Sequence, residues 1–405
     1  MLKLKKLLQN KLSEDPYRIS SKDYSELPRE ERDHWSPVKA KHERVPKICY
    51  VAFALAAICG IIYLITFISR DFADFINLYL GTAARFTLAK LSGLLPFSVA
   101  ELIIISLPIL TFLAIWYLLK YRCRTRRDSF VSIVCILSVF SLFLSAFVLC
   151  LGTGYRGTTL DKKLGLDAEA VSADELYAAT EYLTEKINEL TPMVRFGEDG
   201  FSNMPYSFEE MNEQLIAAYD SFEKDHDFII NFNSRLKPVV MSEAMSYAHI
   251  GGIYSFFTGE SNINVSLPDY TIPYTSAHEL AHQRGIARED EANMIAYLVC
   301  IRSDDPYIQY SAYVNMYEYV ASALRKASSE KYQTVSRKLD LAVYNEQVAY
   351  SNFFKKYQQS VTSKVSGTVN DAYLKAQGTA GRQSYGMVVD LTVAYFKREG
   401  IISAP

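Results

Sequence analysis

The chain has 405 residues, enough for more than one domain, and it carries 43 basic and 45 acidic residues. The resulting formal net charge of −2 lacks the basic excess of nucleic-acid-binding proteins, so we expect no nucleic-acid partner. The charge is unevenly distributed along the chain: residues 1–45 are highly charged, residues 46–155 are dominated by apolar runs, and residues 156–405 resemble a soluble domain. This pattern predicts a charged tail, a membrane domain and a separate functional domain, in that order.

Three uncharged stretches are long enough to cross a bilayer, which requires roughly 20 apolar residues. They are residues 50–69, 102–119 and 130–155. One such run could be a buried core helix, but three in close succession favour transmembrane helices. The sequence therefore predicts a multi-pass protein of the cell membrane, with the lipid bilayer as its first partner.

Lysine and arginine residues near the ends of the spans predict their orientation. The amino-terminal tail and the KYRCRTRRD segment (120–128) are both basic, so both are expected in the cytoplasm. The connection between the first two spans has only Arg70, Arg85 and Lys90, which suits the outer side. With three crossings, residues 156–405 are expected to form an extracytoplasmic domain.

That last domain is predicted to be α+β and mostly helical. Three pairs of a serine and a glutamate match the capping box that opens a helix: Ser172 with Glu175, Ser207 with Glu210, and Ser276 with Glu279. Between residues 236 and 267, β-branched and aromatic residues punctuated by glycines predict a few short strands, the last being NINVSL (262–267). Further helices are expected at about 288–301, 307–326, 330–357, 369–377 and 385–398.

The sequence HELAH (278–282) is the strongest functional signal in the chain. On one helix, His278 and His282 project from the same face one turn apart, which is the separation that two ligands of one Zn²⁺ need. Glu279 can then reach a water beside the metal without being a ligand itself. We predict Zn²⁺ as cofactor, the two histidines as ligands and Glu279 as general base. The alternative is a solvated helix that carries two histidines by coincidence.

These residues resemble the gluzincin branch of zinc metallopeptidases, in which a second helix donates a glutamate as third ligand. The sequence EDEAN (289–293) is similar to that second-helix pattern. The resemblance implies that Glu289 is the third ligand and that Asn293 holds His278. Glu291 is the alternative to Glu289, because two residues so spaced on a helix point in nearly opposite directions and only one can face the metal.

Two further resemblances extend this one. The short connection from His282 to Glu289 is more similar to ExEAN peptidases that cleave repressors of mobile elements than to thermolysin-like enzymes. HELAHQRGIAREDEAN after three spans also resembles an uncharacterised family of bacterial membrane proteins, described only as a domain of unknown function. That second resemblance runs from the PFS segment near Pro96 to SYGMVVDLTVAYF, and it implies no activity beyond the motif.

The gluzincin resemblance implies a zincin-like fold and a membrane-anchored metallopeptidase that acts on a peptide or protein substrate. In zincins an edge strand beside the HExxH helix pairs with an extended substrate, and NINVSL, with Asn262 and Asn264, is the candidate for that role. An ordinary sheet strand is an equally good interpretation of it. A zinc-binding sensor or assembly module without catalysis is the alternative function.

An oxyanion-stabilising residue is harder to identify from the sequence. The candidates are Tyr310, Arg382 and Tyr385, which lie downstream in segments that resemble loops or helix starts. Tyrosine occurs 29 times in this chain, so a packing role competes with a catalytic role for each tyrosine.

Overall fold

The structure is a computed structural model that describes residues 18–20, 36–38, 44–122, 126–357, 361–377 and 384–403. It is mostly helical, with 71% helix and a small sheet. The chain forms two compact units. The smaller unit comprises Met1–Phe53 and Ile109–Phe140, and the larger unit comprises Ala54–Pro108 and Ser141–Pro405.

The described residues form the following α-helices in chain order: α1 (Lys47–Thr66), α2 (Arg70–Phe75), α3 (Thr82–Gly93), α4 (Val99–Tyr117), α5 (Arg126–Cys150), α6 (Leu160–Lys163), α7 (Ala173–Leu190), α8 (Phe208–Glu223), α9 (Ser242–Tyr247), α10 (Ile272–Gln283), α11 (Glu289–Cys300), α12 (Pro306–Ala327), α13 (Ser329–Ser336), α14 (Leu341–Lys355), α15 (Val361–Ala376) and α16 (Ser384–Arg398). Turns of π-helix follow α2 at Ile76–Gly81 and α4 at Leu118–Arg122. The smaller unit also contains a parallel pair of short strands, β1 (Arg18–Ser20) and β2 (Ser36–Val38).

Three of these helices are long and apolar enough to cross a membrane, as the sequence predicted. They are Lys47–Thr66, Val99–Lys120 and Arg127–Cys150, with mean hydropathies of 2.6, 2.5 and 2.8. None of the apolar window in the second of these helices is buried against protein. A continuous apolar surface of this size is stable in lipid rather than in water, so the three helices indicate membrane association.

The core of the larger unit is built around α10 and α11. Helix α11 packs against α10, α8 and α16, while α12 packs along α7. Every residue of α10 except Thr275 is buried, and so is every residue of α11 after its first. These two helices are polar in part of their sequence and are almost entirely buried, so their buried polar side chains must find partners within the protein.

A three-stranded sheet lies beside α10. It consists of β3 (Lys237–Pro238), β4 (Gly252–Ser255) and β5 (Glu260–Ile263), in the order β3–β5–β4. Strand β5 pairs in parallel with β3 and antiparallel with β4. The prediction that the strand around Asn262 is an edge strand is therefore wrong, because a neighbour occupies each side of it. The edge strand next to α10 is β4.

Most predicted helix starts agree with the structure, and two do not. The helix expected at 369–377 starts eight residues earlier, because α15 spans Val361–Ala376. The capping boxes at Ser172 and Ser207 both form. Ser276, in contrast, is buried inside α10, which begins four residues earlier and has Pro273 in its first turn. Proline suits that position because the first backbone N–H groups of a helix have no intrahelical partner. The expected helix at 330–357 is two helices, since the Asp340 side chain caps a new start.

Candidate metal centre

Helix α10 holds the HELAH residues in a fixed orientation. The Tyr219 hydroxyl donates a hydrogen bond to the Ala277 carbonyl at 2.6 Å, and the Ser261 hydroxyl donates to the Glu279 carbonyl at 2.9 Å. The second bond joins the helix to the central strand β5. His278 and His282 are 9% and 7% exposed, so the helix presents both imidazoles to an interior site and not to bulk solvent.

Glu289 reaches the same site from the first residue of α11. The turn between the two helices depends on Gly285, whose φ of 99° is costly for any residue with a Cβ. The Asn77 side-chain amide donates to the Gly285 carbonyl at 2.9 Å, which fixes the turn from the segment between α1 and α4. Gly285 thus follows the C-cap of α10 in the left-handed conformation that commonly terminates a helix.

The three side chains converge. His278 Nε2 lies 3.0 Å from His282 Nε2, and Glu289 Oε2 and Oε1 lie 3.3 and 3.8 Å from these two nitrogens. Together they form a group whose ligand atoms all lie within 4.8 Å of one another. Ligands of tetrahedral zinc, bound at about 2.0–2.1 Å, are separated by roughly 3.3 Å, so the set fits a zinc ion.

The orientation of His282 is set by the backbone. Its Nδ1 lies 2.7 Å from the Ile286 carbonyl oxygen. A carbonyl oxygen only accepts hydrogen bonds, so Nδ1 carries the proton and Nε2 is left to face the site. A metal ligand needs this tautomer.

The other histidine lacks the partner that the resemblance implied. His278 Nδ1 is buried and has no hydrogen-bond partner among the described residues, and the same holds for Asn293 Nδ2. Asn293 instead receives hydrogen bonds from the Tyr274 hydroxyl, at its backbone oxygen (3.0 Å) and its side-chain oxygen (3.4 Å). The expected contact in which Asn293 holds His278 is thus not formed.

Glu289 and the two histidines shift one another's pKa values. Burial alone would raise the pKa of Glu289, but hydrogen bonds and charge interactions with His278 and His282 hold it well below its usual range. Burial lowers the pKa of His282, yet its interaction with Glu289 outweighs burial and raises the pKa to about 9. In the absence of metal and below this pKa, the His282 ring therefore holds a second proton in addition to the one on Nδ1. An incoming cation would have to displace it.

Glu279 occupies the side of the site next to the edge strand. Its carboxylate receives the backbone N–H of Tyr254, while Oε2 is buried without a partner among the described residues. A Cβ added to Gly252 would lie 2.5 Å from Glu279 Cγ, so the glycine is what lets the carboxylate lie against β4. Burial raises the pKa of Glu279, which brings it closer to the range useful for proton transfer.

Glu291 points away from this cluster, as its spacing from Glu289 predicts, but it is buried and not solvated. Its carboxylate receives the Leu160 N–H at 3.0 Å and lies 3.6 Å from Arg288 Nε. Burial raises its pKa to about 7. Of the two glutamates considered from sequence, Glu289 is the one that the structure brings to the histidines.

The remaining predicted site residues are not brought to this cluster by any contact in the described structure. Asn262 and Asn264 are buried, and their side chains hydrogen-bond within the protein, Asn262 to Ser98 and Asn264 to Ser246. Tyr310 is buried and its hydroxyl donates to Glu346. Arg382 lies outside the described residues, and the structure describes only the backbone of Tyr385, in α16.

Two tyrosines that the sequence did not single out lie near the ligands. The Tyr319 phenol, on α12, lies beside Asn293, and its pKa is raised to about 12 by burial and by Glu318 and Glu289. The pKa of Tyr373, on α15, is also raised to about 12, by burial and by Glu289. No signal in the sequence separates these two from the other tyrosines, because their approach to the site depends on how α12 and α15 pack.

Comparisons with known proteins identify a family but no activity. The family described as a protein of unknown function (DUF3810) matches residues 76–393, more than half of the chain and a range that includes the whole candidate metal centre. No curated protein and no solved structure matches the chain significantly.

Proposed function

The chain belongs to the DUF3810 family, and we propose that it is a membrane-anchored zinc metallopeptidase with a zincin-like fold. The observation that carries the proposal is the convergence of three ligand atoms beside an oxygen of Glu279 that has no hydrogen-bond partner in the part of the chain that the structure describes. A structural zinc site is closed by four protein ligands and has no use for an adjacent base. Three ligands with a carboxylate beside them are typical of a catalytic site, which supports an enzyme over a sensor or assembly module.

Under this proposal, His278, His282 and Glu289 would hold the ion. Bound zinc would supply Lewis acidity, which lowers the pKa of water and polarises a carbonyl group. Glu279 would accept a proton from the attacking water and return it to the leaving nitrogen of the peptide bond. Its raised pKa suits a group that must both take up and release a proton.

The substrate would bind as an extended chain along β4. In the described structure the outer edge of this strand is not paired, and Gly252 lies against Glu279. A peptide added to that edge would run past the general base with its backbone hydrogen-bonded to β4. The phenols of Tyr319 and Tyr373 replace Tyr310 as candidates to stabilise the oxyanion, because both interact with Glu289.

The membrane orientation follows the distribution of basic residues. The KYRCRTRRD segment between the second and third spans would lie in the cytoplasm, together with the amino-terminal tail. If all three helices cross the membrane, the metal centre would then lie outside the cytoplasm.

Substitutions in the full chain, purified in detergent, test the proposal. Glu279→Gln leaves all three ligands intact, so zinc content should stay near one equivalent while hydrolysis of a peptide library falls about a hundredfold or more. Glu289→Gln weakens a ligand, so zinc content and hydrolysis should fall together. Metal analysis and the same library measure both quantities.

Glu291→Gln is the matched control on α11. Its amide oxygen can still accept the Leu160 N–H, and burial already favours the neutral form of this group, so zinc content and hydrolysis should both stay near wild type. Loss of zinc in Glu291→Gln but not in Glu289→Gln would show that the third ligand is misassigned. A wild-type protein that binds zinc but cleaves no peptide would contradict the enzymatic proposal and favour a zinc-binding module.

A further inference from the structure

A group of exposed apolar side chains surrounds the start of α4. It comprises Leu94, Leu95, Phe97, Val240 and Met241, and we call it the apolar rim. Leu94 is 80% exposed and Val240 is 85% exposed. Exposed residues scattered singly need no explanation, but a contiguous apolar surface marks a site that is covered by something else.

The two segments of the rim are joined by charged side chains. Buried Lys237 donates from Nζ to the carbonyl oxygens of Ser92, at 3.1 Å, and of Leu95. On the other side, the Glu101 carboxylate accepts the N–H groups of Val240 and Met241 at 3.0 and 2.7 Å. Both charges are therefore satisfied by backbone groups, and the rim presents apolar side chains around them.

The rim is continuous with a membrane-length surface. Glu101 lies in the first turn of α4, and the residues that follow, Leu102, Ile103 and Ile104, are 53%, 41% and 60% exposed. These belong to the helix whose apolar window has no residue buried against protein. A helix with so apolar a surface is expected to lie in lipid, and the same lipid is the natural cover for the rim at its end.

The same region holds the edge strand of the metal centre. The buried Glu260 carboxylate, at the start of β5, accepts the N–H groups of Val99 and Ala100 at 3.0 and 2.8 Å and so caps α4. The turn after β4 packs on α5, where the ring of Phe256 lies 4.8 Å from that of Phe143. The hairpin formed by β4 and β5 thus contacts two of the three membrane-length helices, through β5 and through the turn between the strands.

We propose that the apolar rim inserts into the interfacial layer of the bilayer and holds β4 at the membrane surface. The consequence, which rests on the proposed peptidase function, concerns the substrate class. The site would select extended segments of membrane-anchored polypeptides close to the bilayer, because a chain tethered there reaches β4 at a high effective concentration. A soluble polypeptide of the same sequence gains no such advantage.

Tryptophan quenching tests the position of the rim without relying on activity. Trp35→Phe and Trp116→Phe first remove the two native tryptophans of the full chain, and Val240→Trp then supplies a single probe. The variant is placed in nanodiscs of phosphatidylcholine that is brominated near the top of its acyl chains. We expect quenching at least about twofold stronger than for Leu341→Trp, a 70% exposed position at the start of α14. Met241→Trp provides a second probe if the first variant fails to fold, and a single symmetric peak in size-exclusion chromatography reports on folding in each case.

If bromolipid quenches the emission from positions 240 and 241 no more strongly than the emission from position 341, the proposed insertion is wrong. Blue-shifted emission without lipid quenching would point to a second copy of the chain as the cover, which also contradicts it.

The substrate class is tested separately with a disordered polypeptide containing all twenty amino acids, either free or coupled to lipid in vesicles that carry the enzyme. We expect the lipid-coupled form to be cleaved at least about tenfold faster. Equal rates at equal bulk concentration would overturn the substrate class. Cleavage of neither form would overturn the proposed peptidase function, while the quenching result on the rim would still hold.

Discussion

Gly252 is the residue on which the position of Glu279 depends. Its absent side chain leaves the space that the glutamate occupies, because a Cβ would lie 2.5 Å from Glu279 Cγ and 2.7 Å from Oε1. Gly252→Ala should therefore displace the carboxylate while leaving the three ligands in place. We expect near-normal zinc content with hydrolysis reduced about a hundredfold, the cost of misplacing a catalytic group by roughly 1 Å.

Gly251→Ala is the control for this prediction. A Cβ there would meet the Thr275 methyl group at 3.3 Å, a contact that a small shift relieves, so hydrolysis should change little. If Gly252→Ala and Gly251→Ala retain equal activity, Glu279 does not need the space beside β4.

The proton on His282 predicts a pH dependence for metal binding. Since interaction with Glu289 raises the pKa of this ring to about 9 in the metal-free protein, zinc must displace one proton at any lower pH. Zinc affinity should therefore rise with pH, by about tenfold per unit between pH 7 and pH 8.5, and fall as the pH decreases. Competition with a chelator of known affinity measures this slope, and an affinity independent of pH over that range would contradict the raised pKa.

Sequence predicted the centre of the site better than its surroundings. The spacing of His278 and His282 and the opposed directions of Glu289 and Glu291 follow from helix geometry, which is local. The roles suggested for Asn262 and Tyr310 depended on which strand is at the edge and which helix face is buried. Those features arise from packing between distant segments, so residue type and spacing could not supply them.

At the scale of elements, Glu260 joins the sheet to the second membrane-length helix. Its carboxylate is 1% exposed and accepts two N–H groups at the start of α4. In Glu260→Gln one of these donors would face an amide NH₂ group in place of an oxygen. We expect a loss of about 2 kcal/mol in stability, the range for a buried hydrogen bond to a charged group.

Thermal unfolding in detergent measures this loss, and it should appear as a fall of about 2–3 °C in the midpoint. Glu213→Gln, at an exposed position on α8, is the control and should leave the midpoint nearly unchanged. Equal midpoints for the two variants would mean that the cap on α4 contributes little to stability.

Helix starts marked by a capping box were predictable from the sequence. A helix start that depends on the preceding turn was not. Ser172 and Ser207 form their boxes because each has a glutamate three residues later and polar neighbours outside the helix. Ser276 and Glu279 have the same spacing, but the turn at Asp269–Thr271 leads directly into α10, so the helix starts before them. In that setting Glu279 is part of the site and is not a cap.

For the whole molecule, the proposed orientation makes a direct prediction. A reporter that is active only outside the cytoplasm should be active when fused after Pro405. A reporter that is active only in the cytoplasm should be active when inserted in the KYRCRTRRD segment (120–128). Paired fusions to alkaline phosphatase and a fluorescent protein at both positions measure this. The reverse pattern would place the metal centre in the cytoplasm.

Composition alone was sufficient to predict the three membrane-length helices and the helical character of the rest, because both follow from long, strongly patterned segments. The predicted bounds of the membrane helices differ from those observed by a few residues, since the helices extend into polar flanks such as Lys47 and Arg126. The division into a cytoplasmic tail, a membrane domain and an extracytoplasmic domain stays a prediction that the fusions would test.

All three proposed ligands lie within the twelve residues from His278 to Glu289, on two successive helices. The entropy lost in closing a loop grows with its length, so a cation that bridges so short a segment closes it at small cost. Metal capture therefore does not have to wait for α12 to α16 to be synthesised. A nascent chain could bind its ion as soon as α10 and α11 have formed, and the bound ion would then fix the angle between these two helices before the rest of the core packs around them.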